Sequence, residues 1–184
     1  MKRRIQLTSH FHHAGCRCLQ RLSRRSVFGF GLGAIATAAS LPAFALDTGY
    51  DAMLLKCIDP RFTTNTWAYM SSRGLQNLYS QFNIAGGPIG VVAPKFAEWH
   101  KTFWDNLEIS YGLHEIKRVI AITHRDCGAA AVAYGDRVKT DRAFETSMHT
   151  EALRTFRDEM HKRHPELLVE LGIMELTGTV EPVI

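Results

Sequence analysis

Five residues in two short segments have the types and spacing to do chemistry together. Cys57-Ile58-Asp59-Pro60-Arg61 carries a thiol, a carboxylate and a guanidinium, and His124-Arg125-Asp126-Cys127-Gly128 carries an imidazole and a second thiol. Cys57, His124 and Cys127 are soft or borderline donors suited to one zinc ion (Zn2+) per chain. Three protein ligands leave a fourth position open, which is the pattern of a catalytic rather than a structural zinc. Asp59 and Arg61 are close enough for a bidentate ion pair. As a surface turn pair they would contribute under about 1 kcal/mol, but their fixed offsets from Cys57 make them candidate catalytic residues. The two thiols also admit a disulfide; the aspartate, arginine and histidine beside them favour zinc.

Cys-x-Asp-x-Arg followed by His-x-x-Cys-Gly, in this order, resembles the β-class carbonic anhydrases. The segment from Phe82 to Gly87 is loosely similar to that family's Arg-Asn-Ala-Gly stretch, without its arginine. The resemblance implies a zinc-dependent, reversible hydration of carbon dioxide to bicarbonate by zinc-bound hydroxide. It implies that Asp59 and Arg61 orient the bound water, and that the aspartate can instead swing in as a fourth ligand and close the site. It also implies a homodimer or higher homo-oligomer. Only Leu46 to Tyr50 precede the first strand, leaving little room for the helical arm by which typical members wrap a partner. Two thiolates make zinc a weaker Lewis acid than three imidazoles do, so the bound water should ionise above about pH 7 and activity should rise with pH. Three other readings stay open: a related hydrolase of carbonyl sulfide or carbon disulfide, a non-catalytic zinc-binding or bicarbonate-sensing protein closed by Asp59, and a thiol–disulfide protein.

The elements that must position these residues read as follows. Met53 to Ile58 is a buried strand ending at the first ligand, and Pro60 puts Asp59 and Arg61 in the loop beyond it. Residues 63–80 have helical character, with Trp67, Met70, Leu75 and Leu78 as core positions. Phe82 to Ile84 forms a short strand before the Ala85-Gly86-Gly87-Pro88 loop. Pro94 to Tyr111 is the strongest helix, with Phe96, Trp99, His100, Phe103 and Leu107 on one face and Gly112 as its stop. His100 on that face is a packed, hydrogen-bonded histidine rather than a ligand. Ile116 to Ile122 is a β-branched strand delivering His124, and a helix starts near Gly128, just past Cys127. A further helix covers Ser147 to Arg163, a buried strand Leu167 to Leu176, and a terminal strand Thr179 to Val183. Arg125 and Asp126 read as solvated or supporting groups. Alternation of strands and helices predicts an α/β fold with a mostly parallel β-sheet flanked by helices. Both half-motifs then fall at strand carboxyl ends, where sites in such sheets collect.

The first 45 residues belong to a different purpose. They hold seven of the 22 basic residues and none of the 18 acidic ones. Ser23-Arg24-Arg25-Ser26 leads into an apolar run from Val27 to Ala39, and Ala43-Phe44-Ala45 offers a cleavage site, as in a twin-arginine signal peptide. Residues 1–45 are therefore expected to engage the twin-arginine export machinery and be removed near Ala45, leaving residues 46–184 as one periplasmic domain. The net charge of +4 becomes −3 over residues 46–184, with 15 basic against 18 acidic residues. That balance leaves no argument for a nucleic-acid partner. His10, His12, His13, Cys16 and Cys18 would leave with the signal, and the Gly29, Gly31, Gly33 pattern lacks the βαβ context of a dinucleotide site.

Overall fold

The computed structural model describes residues 49–184; the signal-peptide reading, the His10–Cys18 cluster and the Gly29–Gly33 pattern lie outside the described residues. Five strands form one sheet in the order β2-β1-β3-β4-β5: β1 (Ala52–Lys56), β2 (Tyr79–Asn83), β3 (Arg118–His124), β4 (Leu168–Met174) and β5 (Val180–Pro182). The first four are parallel, and β5 returns antiparallel to β4. The sheet is thus mostly parallel, as expected. Side chains alternate between its faces. Met53 and Leu55 of β1 with Val119 and Ala121 of β3 meet Phe103, Leu107, Leu153 and Phe156 on one side. Ala52, Leu54, Ile120 and Ile122 meet Phe62, Met70 and Leu75 on the other.

The first side is covered by α3 (Ala97–His114) and α6 (Arg142–Arg163), the second by α1 (Thr63–Ser72). Three short helices surround the strand carboxyl ends: α2 (Pro88–Val92), α4 (Gly128–Tyr134) and α5 (Arg137–Thr140). α6 starts five residues earlier than the periodicity suggests, because Asp141 caps it by accepting from Phe144 N at 3.0 Å. α3 runs through Gly112, where open space removes any need for a stop. It ends at Glu115 in the left-handed region (φ 50°), whose N–H reaches Tyr111 O.

Several positions expected in the core are exposed, Trp99 of α3 among them. α1 stops at Ser72 and the chain turns through Gly74 (φ 73°), so Leu78 lies in the connection rather than on a helix face. Trp67 is half exposed because Thr66 and Met70 are the residues of α1 that turn inward, and Trp67 sits one step round from Thr66. Leu167, at the start of the expected fourth strand, is buried, while Leu168 and Leu176 are exposed.

Candidate metal centre

β1 delivers Cys57 and β3 delivers His124, and these neighbouring parallel strands set their carboxyl ends side by side. Cys127 then follows at the N-cap of α4. Ligand atoms of Cys57, His124 and Cys127 all lie within 4.8 Å of one another, and all three residues are buried. Both thiols are free, so the disulfide reading does not describe this structure.

Each side chain is held in place. Nδ1 of His124 donates to the carbonyl of Arg125 at 2.8 Å, which fixes the tautomer and leaves the Nε2 lone pair turned to the centre. Nε2 is buried with no hydrogen-bond partner among the described residues. The ring also packs on Phe62, with centroids 4.2 Å apart. The backbone N–H of Gly86 donates to Cys57 Sγ at 3.2 Å. Gly87 (φ 55°) presses so closely on β1 that a Cβ there would come within 2.9 Å of the carbonyl carbon of Lys56. The Ala85–Pro88 loop signal was visible in the sequence; its contact with a ligand strand was not.

Asp59 and Arg61 form the expected bidentate pair. Nε of Arg61 reaches both carboxylate oxygens at 3.1 Å, Nη2 reaches Oδ2 at 2.8 Å, and the Arg61 backbone N–H adds a bond to Oδ1 at 2.9 Å. These bonds hold the Asp59 carboxyl below the usual carboxylate range. Asp59 Oδ2 lies 4.0 Å from His124 Nε2, beside the three ligand atoms but not among them. Arg61 also grips the second half-motif, through Asp126 Oδ2 at 2.8 Å and the Asp126 carbonyl at 3.1 Å. Asp126 holds a left-handed backbone (φ 55°), and its N–H donates to Glu145 Oε1 at 2.8 Å.

Of its two readings, solvated or supporting, Arg125 takes the second. It is buried, and its guanidinium reaches Glu175 at 3.0 Å, Glu181 at 2.9 Å, Thr146 at 2.7 Å and Glu145 at 3.5 Å. It ties α6, β5 and the turn after β4 to the ligand loop. His100 does bond to a backbone group, with Nε2 3.1 Å from Ala93 O, and stays out of the centre. His149 of α6 was not singled out from sequence. It is fully buried with neither ring nitrogen bonded among the described residues, and burial, with the charge of Arg125, pushes it down to about 3.

The electrostatics suit a cation. The adjoining Cys127 thiol pulls the Cys57 thiol down against the upward push of burial, while Cys57 and burial push Cys127 up. Burial depresses His124, but the adjoining Cys57 sulfur and the Arg125 carbonyl outweigh it and raise its pKa. A divalent cation reverses this balance, favouring two thiolates and a neutral imidazole. The orphaned Nε2 beside two sulfurs therefore fits zinc.

Among solved structures the chain is similar to the β-carbonic anhydrase CcaA, at 14% identity over 72% of this chain and 73% of that one, with a TM-score of 0.50. It is also similar to a carbonic anhydrase from Glaciozyma antarctica (20% identity, 78% and 87% covered, TM-score 0.49). A tetrameric β-carbonic anhydrase from Sordaria macrospora matches at 13% identity (73% and 80% covered, TM-score 0.48). The fold is that of the β-carbonic anhydrases. No family model matches the chain. Among curated proteins, an uncharacterized protein of Rickettsia conorii is 30% identical over 131 residues, covering 71% of this chain and 70% of its own length. One of Rickettsia bellii is 31% identical over 131 residues, covering 71% and 80%. The chain belongs to the family of these Rickettsia proteins.

Proposed function

We propose that Cys57, His124 and Cys127 hold one zinc ion and that the chain reversibly hydrates carbon dioxide to bicarbonate. The observation that carries this reading is the convergence of the three ligand atoms beside a carboxylate already clasped by an arginine. Zinc, when bound, supplies Lewis acidity that makes water a nucleophile near neutral pH.

The chain's own residues do the rest. Arg61 occupies both oxygens of Asp59 and holds the carboxylate off the ligand set, which supports an open rather than a closed site. Clasped in this way, Asp59 stays ionised and can accept a hydrogen bond from water at the centre. Arg61 joins Asp59 to the loop bearing Cys127, so the acceptor and the ligands move as one unit. Phe62 covers one face of His124 and limits water there.

Residues 1–45 act in this proposal as a twin-arginine export signal, placing residues 46–184 in the periplasm. A homo-oligomer is part of the same reading: β2 is an edge strand, and Ile58 and Trp67 expose apolar surface on either side of the Asp59–Arg61 loop. Asp59→Ala in zinc-loaded protein tests the site. Retained zinc with lost hydration supports a catalyst; unchanged hydration removes Asp59 from the mechanism.

A further inference from the structure

Lys56 is the last residue of β1, and strand alternation turns its side chain toward the α1 face, away from the core beneath α3 and α6. The residue is 7% exposed, yet no ion pair joins it among the described residues. Its one hydrogen bond goes to the carbonyl of Cys57 at a long 3.5 Å. A buried ammonium without a counter-charge is costly. The nearest carboxylate along the chain, Asp59, is clasped by Arg61.

Lys56 lines a cavity of about 300 Å³ with Thr63, Thr66, Trp67, Tyr79, Gln81 and Asn83. Its floor follows from the parallel register, which pairs Ala52, Leu54 and Lys56 with Tyr79, Gln81 and Asn83. The edge strand β2 thus presents a polar column where a core strand would present apolar residues. Among the described residues no carboxylate lines this cavity. The Thr66 hydroxyl is committed to Phe62 O at 2.6 Å. The hydroxyls of Thr63 and Tyr79 and the amides of Gln81 and Asn83 make no side-chain hydrogen bond among the described residues. One buried cation beside solvent-facing hydroxyls and amides that have no side-chain partner among the described residues, near the first turn of α1, suits a ligand with one negative charge and two or more acceptor oxygens.

We propose that this cavity is a binding site for a small free monocarboxylate, with Lys56 as its counter-ion, separate from the metal centre and independent of whether that centre hydrates carbon dioxide. The volume exceeds that of formate or acetate severalfold, and its single cation argues against a doubly charged oxyanion.

The test is thermal unfolding of the zinc-loaded chain in formate and in acetate, against chloride at matched ionic strength, for the native chain and Lys56→Met. Either carboxylate should raise the native midpoint more than chloride does, and Lys56→Met should lose that rise while keeping its zinc. The variant should bind the probe about tenfold more weakly or worse. Without carboxylate, Lys56→Met should melt no lower than the native chain, because an unpaired buried charge is gone. An equal rise in Lys56→Met would place the carboxylate elsewhere, the metal centre included, and overturn the proposal, as would no rise in the native chain. A native midpoint that climbs with protein concentration in carboxylate-free buffer, and does so only with Lys56 present, would assign the counter-charge to a second copy and overturn the free-ligand site. Should Lys56→Met fail to fold, Gln81→Leu takes its place: a reduced rise supports the site and an undiminished rise sinks it. Carbon dioxide hydration is assayed separately, so loss of activity with an intact carboxylate response, or the reverse, separates this proposal from the one above.

Discussion

Two arginines flank the candidate metal centre, and they differ in nearly everything except charge. Arg61 lies in the turn after Cys57 with about half its side chain exposed (48%), and it clasps Asp59 and Asp126. Arg125 sits between two candidate ligands with 4% of its side chain exposed, and it is shared by Glu145, Glu175, Glu181 and a threonine. Exposed pairs are screened and contribute little to stability. A buried guanidinium among carboxylates cannot be removed without leaving charges stranded in a poor solvent. Arg125 is thus a fixture of the fold, while Arg61 can set the position of Asp59 at small cost to the fold.

That contrast is open to direct challenge. The largest effect should come from Arg125→Met, which strands the buried Glu145 and takes one of two arginine partners from Glu175, and is expected to cost about 3–5 kcal/mol in denaturant unfolding. A loss below about 1 kcal/mol would erase the distinction. Next comes Arg61→Gln. Stability should change by under about 1 kcal/mol, while hydration falls about 10²-fold because Asp59 is no longer positioned; equal losses of stability in the two variants would break the comparison.

His149 sharpens the Arg125 side through pH. Its folded pKa of about 3 lies below the ordinary histidine value of 6.5. The unfolded chain therefore binds the extra proton first, and stability declines as pH falls from about 6.5 toward about 3. His149→Phe should flatten that part of the stability profile, measured by melting temperature against pH. Asp59 behaves differently: its lowered pKa keeps the Arg61 pair intact above the ordinary carboxylate value and releases it only as pH falls through the folded value. An activity that rises on the alkaline side thus has another source. Asp126→Asn should have the smallest effect, a few-fold loss of hydration at most, because its backbone carbonyl still holds Arg61.

The contrast also marks where sequence reasoning reached and where it stopped. Strands β1 and β3 were legible because their apolar runs end at the half-motifs, and Cys57, His124 and Cys127 stood out by residue type and spacing. The Asp59–Arg61 pair was legible because its partners are two residues apart. Arg125 was not: its carboxylates lie 20, 50 and 56 positions away, and only the tertiary fold brings them to it. The same holds for Gly86 against Cys57, 29 positions apart, and for the orphaned imidazole of His149. Trp67 and Leu78 were misplaced because an apolar residue in a helical stretch reads as core until the helix's stop is known. Local chemistry is written in adjacent residues; burial of a charge is decided by residues far off in the chain.

The most direct test of the central claim is stopped-flow hydration of carbon dioxide by zinc-loaded protein, from about pH 7 to about pH 9, beside a chelator-stripped control. Hydration that climbs with pH and disappears on chelation is the expected result. Protein shown to hold one zinc through Cys57, His124 and Cys127, yet without hydration at any pH, would contradict it.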